Sequence, residues 1–504
     1  MASQFDYLSK RFVYTPEKEA LFDVKSNKRF TYAELNAGAN QVANYLQQKH
    51  NFSKGDRCAV LAFNDYRYWL VFFGVQKLGG IIVGLNWRLV PAELNQLTKD
   101  VSPKVFFYDK NTKKIVNELK NLYKDTNYNE FDEIFEKSIK NYSMTNPKHP
   151  KLTYEDPIGI VFTGGTTGLP KGAMISYRQV AYNTLNTIRD ILPGDTYINH
   201  LPLFHVGGLY VYALPLFILG GKVIQMEAWN PELYLQLITS ERPTFGFCVP
   251  TQYRMLLARP EFSKVDFSTH RFLTSGGEPL SLDIIRSFKE IHNIVFKQGF
   301  GMTEVGPGVF ALDPKDAERK IGSIGTPNFF LDAKIINPET GQECKSNEIG
   351  ELVLKGPTVT IGYWNRPEIN RILFDPEGYF HTGDMAKKDE EGYFFIVDRL
   401  KDMYISGGEN IYPREIEKVL EEHPSVAQVQ VIPIKDEKWG QSGRALVVLK
   451  TSSKATEEEL INFCKERLAK FKIPKSIVFV DGFTNYISAA GKILKRKLAE
   501  DYGK

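Results

Sequence analysis

The sequence is short of cysteine, of net charge and of long uncharged stretches, and each shortage excludes a class of protein. Its four cysteines, Cys58, Cys248, Cys344 and Cys464, are far apart and form no Cys-x-x-Cys. They read as reduced, structural thiols and not as a disulfide framework. The eight histidines form no His-x-x-x-His pattern and no His/Cys cluster, so no structural zinc is expected. Sixty-four Lys and Arg against 60 Asp and Glu leave a net charge of +4 on 504 residues. So small a surplus marks neither nucleic acid nor an anionic membrane as the main partner. The opening Met-Ala-Ser-Gln-Phe-Asp lacks a basic segment followed by an apolar one, so no signal peptide and a cytoplasmic location are expected. One stretch, between Asp195 and Lys222, carries no charge, but Pro202, Gly207, Gly208, Pro215, Gly220 and Gly221 interrupt it. A membrane-spanning helix needs roughly 20 mainly apolar residues, so buried helix plus loop is the expectation there.

What is present is a chain rich enough in apolar residues, 42%, for extensive cores. Thr31 and Glu34 have capping-box spacing ahead of a helical pattern that runs through Ala43 and Leu46. Short β-branched runs at Cys58–Phe63 and Gly79–Val83 alternate with helical segments such as Tyr68–Lys77. Such alternation predicts α/β layering. Residues 111–150, rich in Lys and Asn, read as a solvated surface region with one periodic patch, Phe131–Ile139. The last hundred residues read as a separate α+β unit. It has strands at Tyr393–Val397, Gln428–Ile434, Ala445–Leu449 and Ile477–Val480, a helix opened by Pro413, and a second capping box at Thr456 and Glu459. The expected organisation is a large N-terminal domain of layered sheets and helices, residues 1–400, and a small C-terminal domain, residues 401–504.

The most informative segment is Val161-Phe-Thr-Gly-Gly-Thr-Thr-Gly-Leu-Pro-Lys-Gly-Ala. An apolar strand runs into a loop where glycines let backbone amides curl around an anion. Thr163, Thr166 and Thr167 add hydroxyls, and Lys171 adds a positive charge. This composition suits phosphate, but Pro170 before Lys171 and the lack of a following Ser/Thr exclude a Walker A loop.

That segment resembles the phosphate loop of the adenylate-forming superfamily, which includes acyl-CoA synthetases, aryl-CoA ligases, luciferases and peptide-synthetase adenylation domains. Gly164-Gly165 stands where Ser-Gly is common, a variant similar to that of fatty acyl-CoA synthetases. Further segments resemble the family in the same chain order. Leu201-Pro-Leu-Phe-His205 is similar to the wall of the acyl pocket, with His205 near the substrate carboxylate. Thr274-Ser-Gly-Gly277-Glu278-Pro279-Leu is similar to the loop along the adenine. Gln298-Gly299-Phe300-Gly301-Met302-Thr303-Glu304 resembles Gly-Tyr-Gly-x-Thr-Glu, with Phe300 in place of the common Tyr. The resemblance implies that Phe300 stacks on the purine, Thr303 touches phosphate and Glu304 holds Mg²⁺ with Thr167. Thr382-Gly-Asp384 resembles the motif whose carboxylate accepts both ribose hydroxyls, and Arg399 would join it. Lys401 falls at the interdomain hinge. Ser406-Gly407-Gly408 resembles the glycine loop of members that use coenzyme A. Gly491-Lys492 is similar to the final motif with the catalytic lysine, although Tyr486 and Ser488 stand where Pro and Thr are usual.

The resemblance implies a two-step reaction. A carboxylate attacks the α-phosphorus of ATP and pyrophosphate leaves, with Lys492, Lys171, Mg²⁺ and the loop Thr163, Gly164, Gly165, Thr166, Thr167, Gly168 stabilising charge. The thiol of coenzyme A then displaces AMP from the acyl-adenylate after a small mobile C-terminal domain rotates. Fatty and aromatic acids are the expected substrates. Alternatives are o-succinylbenzoate–CoA ligase, suggested by Gly407-Gly-Glu-Asn-Ile-Tyr-Pro and Trp439-Gly-Gln, transfer to an acceptor other than coenzyme A, and an inactive nucleotide-binding homologue. Nucleic acid is not expected as a partner. The sequence leaves room for a homodimer and for peripheral membrane contact.

Overall fold

Strand Arg57–Leu61 shows why this chain builds layers. Cys58 and Val60 project into one apolar core while Ala59 and Leu61 project into another. Alternate side chains leave opposite faces of a strand, so a strand apolar from Cys58 to Leu61 lies in a sheet covered on both sides. The computed structural model describes residues 3–163, 170–399, 402–406, 409–437, 439–468, 470–487 and 493–503.

Two compact units are formed, one of residues 1–332 and 354–380, the other of 333–353 and 381–504. The first holds three sheets. A six-stranded sheet has the spatial order Asn127–Glu130, Val105–Tyr108, Arg57–Leu61, Ile81–Gly84, Pro157–Thr163, Lys171–Ser176. Its first five strands are parallel and the last is antiparallel. A four-stranded sheet joins Lys28–Thr31, Glu19–Asp23, Lys222–Gln225 and Thr196–Asn199. A five-stranded sheet begins with three parallel strands, Gly246–Cys248, Leu273–Gly276 and Phe296–Phe300.

Helices fill the spaces between. Helices Tyr32–His50 and Tyr66–Lys77 bury Leu35, Val42, Leu46, Trp69 and Phe73 against one face of the six-stranded sheet. Leu94, Leu97, Val116 and Leu119 cover its other face. Helices Pro231–Glu241 and Leu282–His292 pack Ile238, Ile284 and Phe288 onto the five-stranded sheet. The Thr31–Glu34 capping box forms as expected, with Thr31 Oγ1 accepting from the Glu34 amide at 3.2 Å and Glu34 accepting from the Thr31 amide at 2.8 Å. The uncharged stretch forms a π-helical turn, Gly207–Val211, and the buried helix Ala213–Leu219. No helix among the described residues is long and apolar enough to cross a membrane.

Residues 111–150 are mostly exposed or half-buried, as expected, and the periodic patch Phe131–Ile139 supplies a buried stripe. They form helix Lys113–Leu122, strand Asn127–Glu130 at the edge of the six-stranded sheet, and helix Glu133–Ile139. Phe131, Phe135 and Ile139 are buried in the main core. The charged residues lie on the outward faces of amphipathic elements.

The second unit contains most of a four-stranded sheet, Asp332–Ile336, Gly350–Lys355, Phe380–Lys388 and Phe394–Arg399. It also contains a sheet built on the long antiparallel pair Val426–Asp436 and Gly440–Leu449. Helix Pro413–Glu421 buries Ile416 and Leu420 there, and helix Glu457–Lys465 buries Leu460 and Cys464. The Thr456–Glu459 capping box is present.

Candidate active site

The predicted loops of the first unit follow the carboxyl ends of parallel strands. In open α/β sheets that edge is where ligands bind, because chain reversals there leave crevices and free amides. Thr163 ends Pro157–Thr163 and Gly277 follows Leu273–Gly276. Gly301 follows Phe296–Phe300, and the His205 segment follows Thr196–Asn199. Thr163 pairs with Lys171 in antiparallel register, and the Gly/Thr segment is the sequence between them. Gly164, Gly165, Thr166, Thr167 and Gly168 themselves lie outside the described residues, as do Lys401, Gly407, Gly408 and Lys492.

Glu304 is the centre of what is described. Its carboxylate is buried, and Oε1 accepts from the Thr163 hydroxyl and the Tyr363 hydroxyl, each at 2.9 Å. Its backbone carbonyl accepts from the Thr360 amide at 2.6 Å. Lys171 Nζ lies 5.4 Å from the centroid of the Tyr363 ring. Four residues from three chain segments therefore meet: Thr163, Lys171, Glu304 and Tyr363. Sequence reasoning missed Tyr363. It reaches the site because residues 360–364 run beside strand Lys171–Ser176, where Met174 N donates to Gly362 O and Trp364 N donates to Gly172 O.

This donor set fits Mg²⁺. A buried carboxylate and two hydroxyls offer the hard oxygens the ion prefers. No group of three or more His, Cys, Asp and Glu side chains suited to a metal occurs among the described residues. An ion at Glu304 would therefore take its remaining oxygens from phosphate and water, as Mg²⁺ commonly does.

The adenine-loop candidates Gly277, Glu278 and Pro279 are exposed, and Gly299, Phe300, Gly301 and Met302 are half-buried. Thr303 is buried beside Glu304. Phe300 meets Phe310 edge-on, with ring centroids 5.8 Å apart. Gly301 has no alternative: a methyl group there would lie 1.6 Å from the Pro307 carbonyl oxygen. His205 is exposed, and its Nδ1 accepts from the Gly207 amide at 3.1 Å. The turn that carries it is held by buried Asn64, whose side chain donates to Leu201 O and accepts from Leu203 N, both at 2.9 Å. Asn64 is a second residue no motif revealed.

In the second unit Asp384 and Arg399 are direct partners in antiparallel register, with Arg399 Nε 2.6 Å from Asp384 Oδ1. Asp384 is buried. Asp398, next to Arg399, accepts from the Arg399 amide at 2.8 Å and from the Arg414 amide at 2.7 Å, which ties the strand to the start of helix Pro413–Glu421. Burial pushes the Asp398 carboxyl up, while Lys495 and the two amides oppose that rise. Ser406 ends strand Tyr404–Ser406 and is buried.

The chain resembles known proteins along nearly its whole length. Residues 8–364 match the family model described as AMP-binding enzyme, and residues 415–490 match AMP-binding enzyme C-terminal domain. The chain is 36% identical over 478 residues to a feruloyl-CoA synthase of an Amycolatopsis species, covering 94% of each. It is 34% identical over 502 residues to the long-chain-fatty-acid–CoA ligase FadD13 of Mycobacterium tuberculosis, covering 98% of this chain and 97% of that one. The solved o-succinylbenzoate CoA synthetase of Bacillus subtilis, in complex with the acyl-adenylate intermediate, superposes with a TM-score of 0.87 at 30% identity over 98% of each chain. A family match over most of the chain and relatives that span nearly all of it leave one conclusion: the chain belongs to the AMP-binding enzyme family.

Proposed function

We propose that this protein is an acid–thiol ligase that spends ATP to activate a carboxylic acid as its acyl-adenylate and then forms the coenzyme A thioester. The carrying observation is the buried Glu304 carboxylate, held by Thr163 at the start of the Gly/Thr segment with Lys171 beside it. A carboxylate is a poor electrophile, and adenylation gives it a good leaving group. In the first step a carboxylate oxygen of the acid bonds to the α-phosphorus of ATP and the bond to pyrophosphate breaks. Charge gathers on phosphate oxygens, so the residues chiefly position and neutralise. Lys171 and the amides of the Gly/Thr segment hold the departing pyrophosphate, Thr303 contacts phosphate, and Lys492 bridges the acid and the α-phosphate. Gly277, Glu278, Pro279 and Phe300 bind adenine, and Asp384 with Arg399 binds ribose. Glu304, with Thr167, would hold Mg²⁺, whose charge screens the phosphate oxygens.

In the second step the thiol of coenzyme A bonds to the acyl carbon and AMP leaves. Ser406, Gly407 and Gly408 form the pantetheine passage, and Lys401 is the hinge of a division at residues 400 and 401. His205 stands at the acyl pocket. Relatives named for a fatty and for an aromatic acid support both substrate classes. The Bacillus subtilis likeness favours one second reading, an o-succinylbenzoate-type substrate. The buried, unpaired thiols Cys58, Cys248 and Cys464 suit a cytoplasmic enzyme.

The test is pyrophosphate release from Mg²⁺-ATP across fatty acids of graded length, cinnamate and benzoate types and o-succinylbenzoate, with and without coenzyme A. Sustained release that needs both an acid and coenzyme A is expected, and the preferred acid names the substrate class. Release in a single stoichiometric burst, indifferent to coenzyme A, would assign another acceptor. Sizing and vesicle-flotation runs on the same preparation decide the homodimer and the peripheral membrane contact.

A further inference from the structure

We propose that Glu351 and His381 are positioning residues for the nucleotide ribose, acting through Asp384. The inference rests on the reading of Asp384 as the acceptor of the ribose hydroxyls. Glu351 is buried on strand Gly350–Lys355, and its two carboxylate oxygens are divided between two partners. Oε1 accepts from the Gly383 amide at 3.0 Å, and Oε2 lies 2.8 Å from His381 Nδ1. One side chain thus grips the residues on either side of Thr382. The Thr382 hydroxyl donates to Leu352 O at 2.6 Å and accepts from the Asp384 amide at 3.0 Å. His381, Thr382 and Gly383 are therefore tied to two neighbours on one strand, and Asp384 is tied to them through Thr382.

This start of strand Phe380–Lys388 needs such ties. Gly383 has φ +70°, the left-handed region, and nothing lies within 4 Å of where a Cβ would stand. Glycine reaches that conformation without strain, but it has no side chain to hold the backbone there. A carboxylate that must accept two vicinal hydroxyls needs its plane held, because a small displacement loses one of the two bonds. The Gly383 amide on Glu351 supplies that restraint immediately before Asp384. His381, which is half exposed, occupies the second oxygen of Glu351 and so restrains the rotation of the carboxylate that holds the amide. Both residues act on this part of the strand and leave the nucleotide to Asp384.

The test compares ATP with 2′-deoxy-ATP and 3′-deoxy-ATP in the wild type and in Asp384→Asn, Glu351→Ala, Glu351→Gln, His381→Leu and His381→Asn. The wild type should prefer ATP by about tenfold, the worth of one hydrogen bond to a charged acceptor. Glu351→Ala should raise the KM for ATP by about tenfold with kcat nearly unchanged, and should prefer ATP by less than about twofold. Its KM for the acid should not move. Glu351→Gln keeps an oxygen for the Gly383 amide and should retain most of the preference. His381→Leu should lose part of it and His381→Asn should regain that part. Glu351→Ala that still prefers ATP as the wild type does, while Asp384→Asn does not, overturns the positioning role. So does a loss of kcat with a parallel rise in every KM. Asp384→Asn that keeps the full preference overturns the ribose reading itself. Should Glu351→Ala fail to fold, the pair His381→Leu and His381→Asn decides by the same criterion.

Discussion

The Thr163 hydroxyl donates to the Glu304 carboxylate across 141 positions of sequence, at 2.9 Å. The contact joins the end of strand Pro157–Thr163 to the turn Thr303–Val305 that follows strand Phe296–Phe300. Glu304→Gln keeps the shape and removes the charge, so pyrophosphate release should fall by about a hundredfold, the scale seen when one stabilising group is lost from a site of developing charge. The Mg²⁺ concentration for half-maximal rate should rise. Thr163→Val should produce a smaller loss of the same kind and Thr163→Ser should not. An unchanged Mg²⁺ dependence in Glu304→Gln would remove Glu304 from the metal.

Lys492 is proposed to act in one half-reaction. Lys492→Ala should cripple adenylation while leaving transfer of a supplied acyl-adenylate to coenzyme A near the wild-type rate. The two halves are measured separately, by pyrophosphate release and by thioester formation. Normal adenylation by this variant would move the catalytic lysine elsewhere.

Lys77 and Asp6 form a buried ion pair, both side chains essentially without exposure. Lys77 Nζ also donates to Ser9 Oγ at 2.6 Å and Asn36 Oδ1 at 2.8 Å, which ties the N-terminal helix Tyr7–Tyr14 to helices Tyr32–His50 and Tyr66–Lys77. Burial lowers the lysine pKa and Asp6 opposes that shift. Lys77→Met should cost roughly 3–5 kcal/mol by stranding the Asp6 carboxylate. Asp6→Asn combined with Lys77→Met should cost less than Lys77→Met alone, as read from urea-melt midpoints. Equal midpoints for the single and double variants would mean that the stranded charge is not the cause.

His200 is buried against Trp229 and Tyr234, and its Nε2 lies 3.0 Å from Gln252 Oε1. Burial pushes its pKa down from 6.5 to about 4. Between those values the unfolded chain binds a proton that the folded chain refuses, so stability falls as pH drops from about 6.5 to about 4. His270, pushed to about 4 by the same cause, adds to the effect. The melting temperature should decline across that window, and His200→Gln should flatten part of the decline. An identical pH profile for His200→Gln would exclude His200 as a contributor.

Much of this was legible in the sequence because it is local. A capping box such as Thr31–Glu34 is decided within four residues, and so is an apolar run such as Cys58–Leu61. In residues 111–150 the periodic patch Phe131–Ile139 was legible, but that its Phe131, Phe135 and Ile139 enter the main core depends on what lies underneath. Tyr363 and Asn64 were invisible for a different reason. A tyrosine or an asparagine marks nothing until the chain brings it to a partner, and theirs lie 59 and 137 to 139 residues away.

Before any folding, the chain already carried the α/β alternation, a glycine- and threonine-rich segment suited to an anion, and the shortage of charge and paired cysteine that excludes other classes. Those properties follow from residue type, spacing and composition, which exist before folding. The tertiary structure decided which residues share a site. It set Glu304 against Thr163 and Tyr363, opposed Asp384 to Arg399 in register, and placed Glu351 where both carboxylate oxygens grip the residues before Asp384. Hydrogen bonds and ion pairs act over about 3 Å, and only the folded chain brings groups so far apart in sequence within that reach.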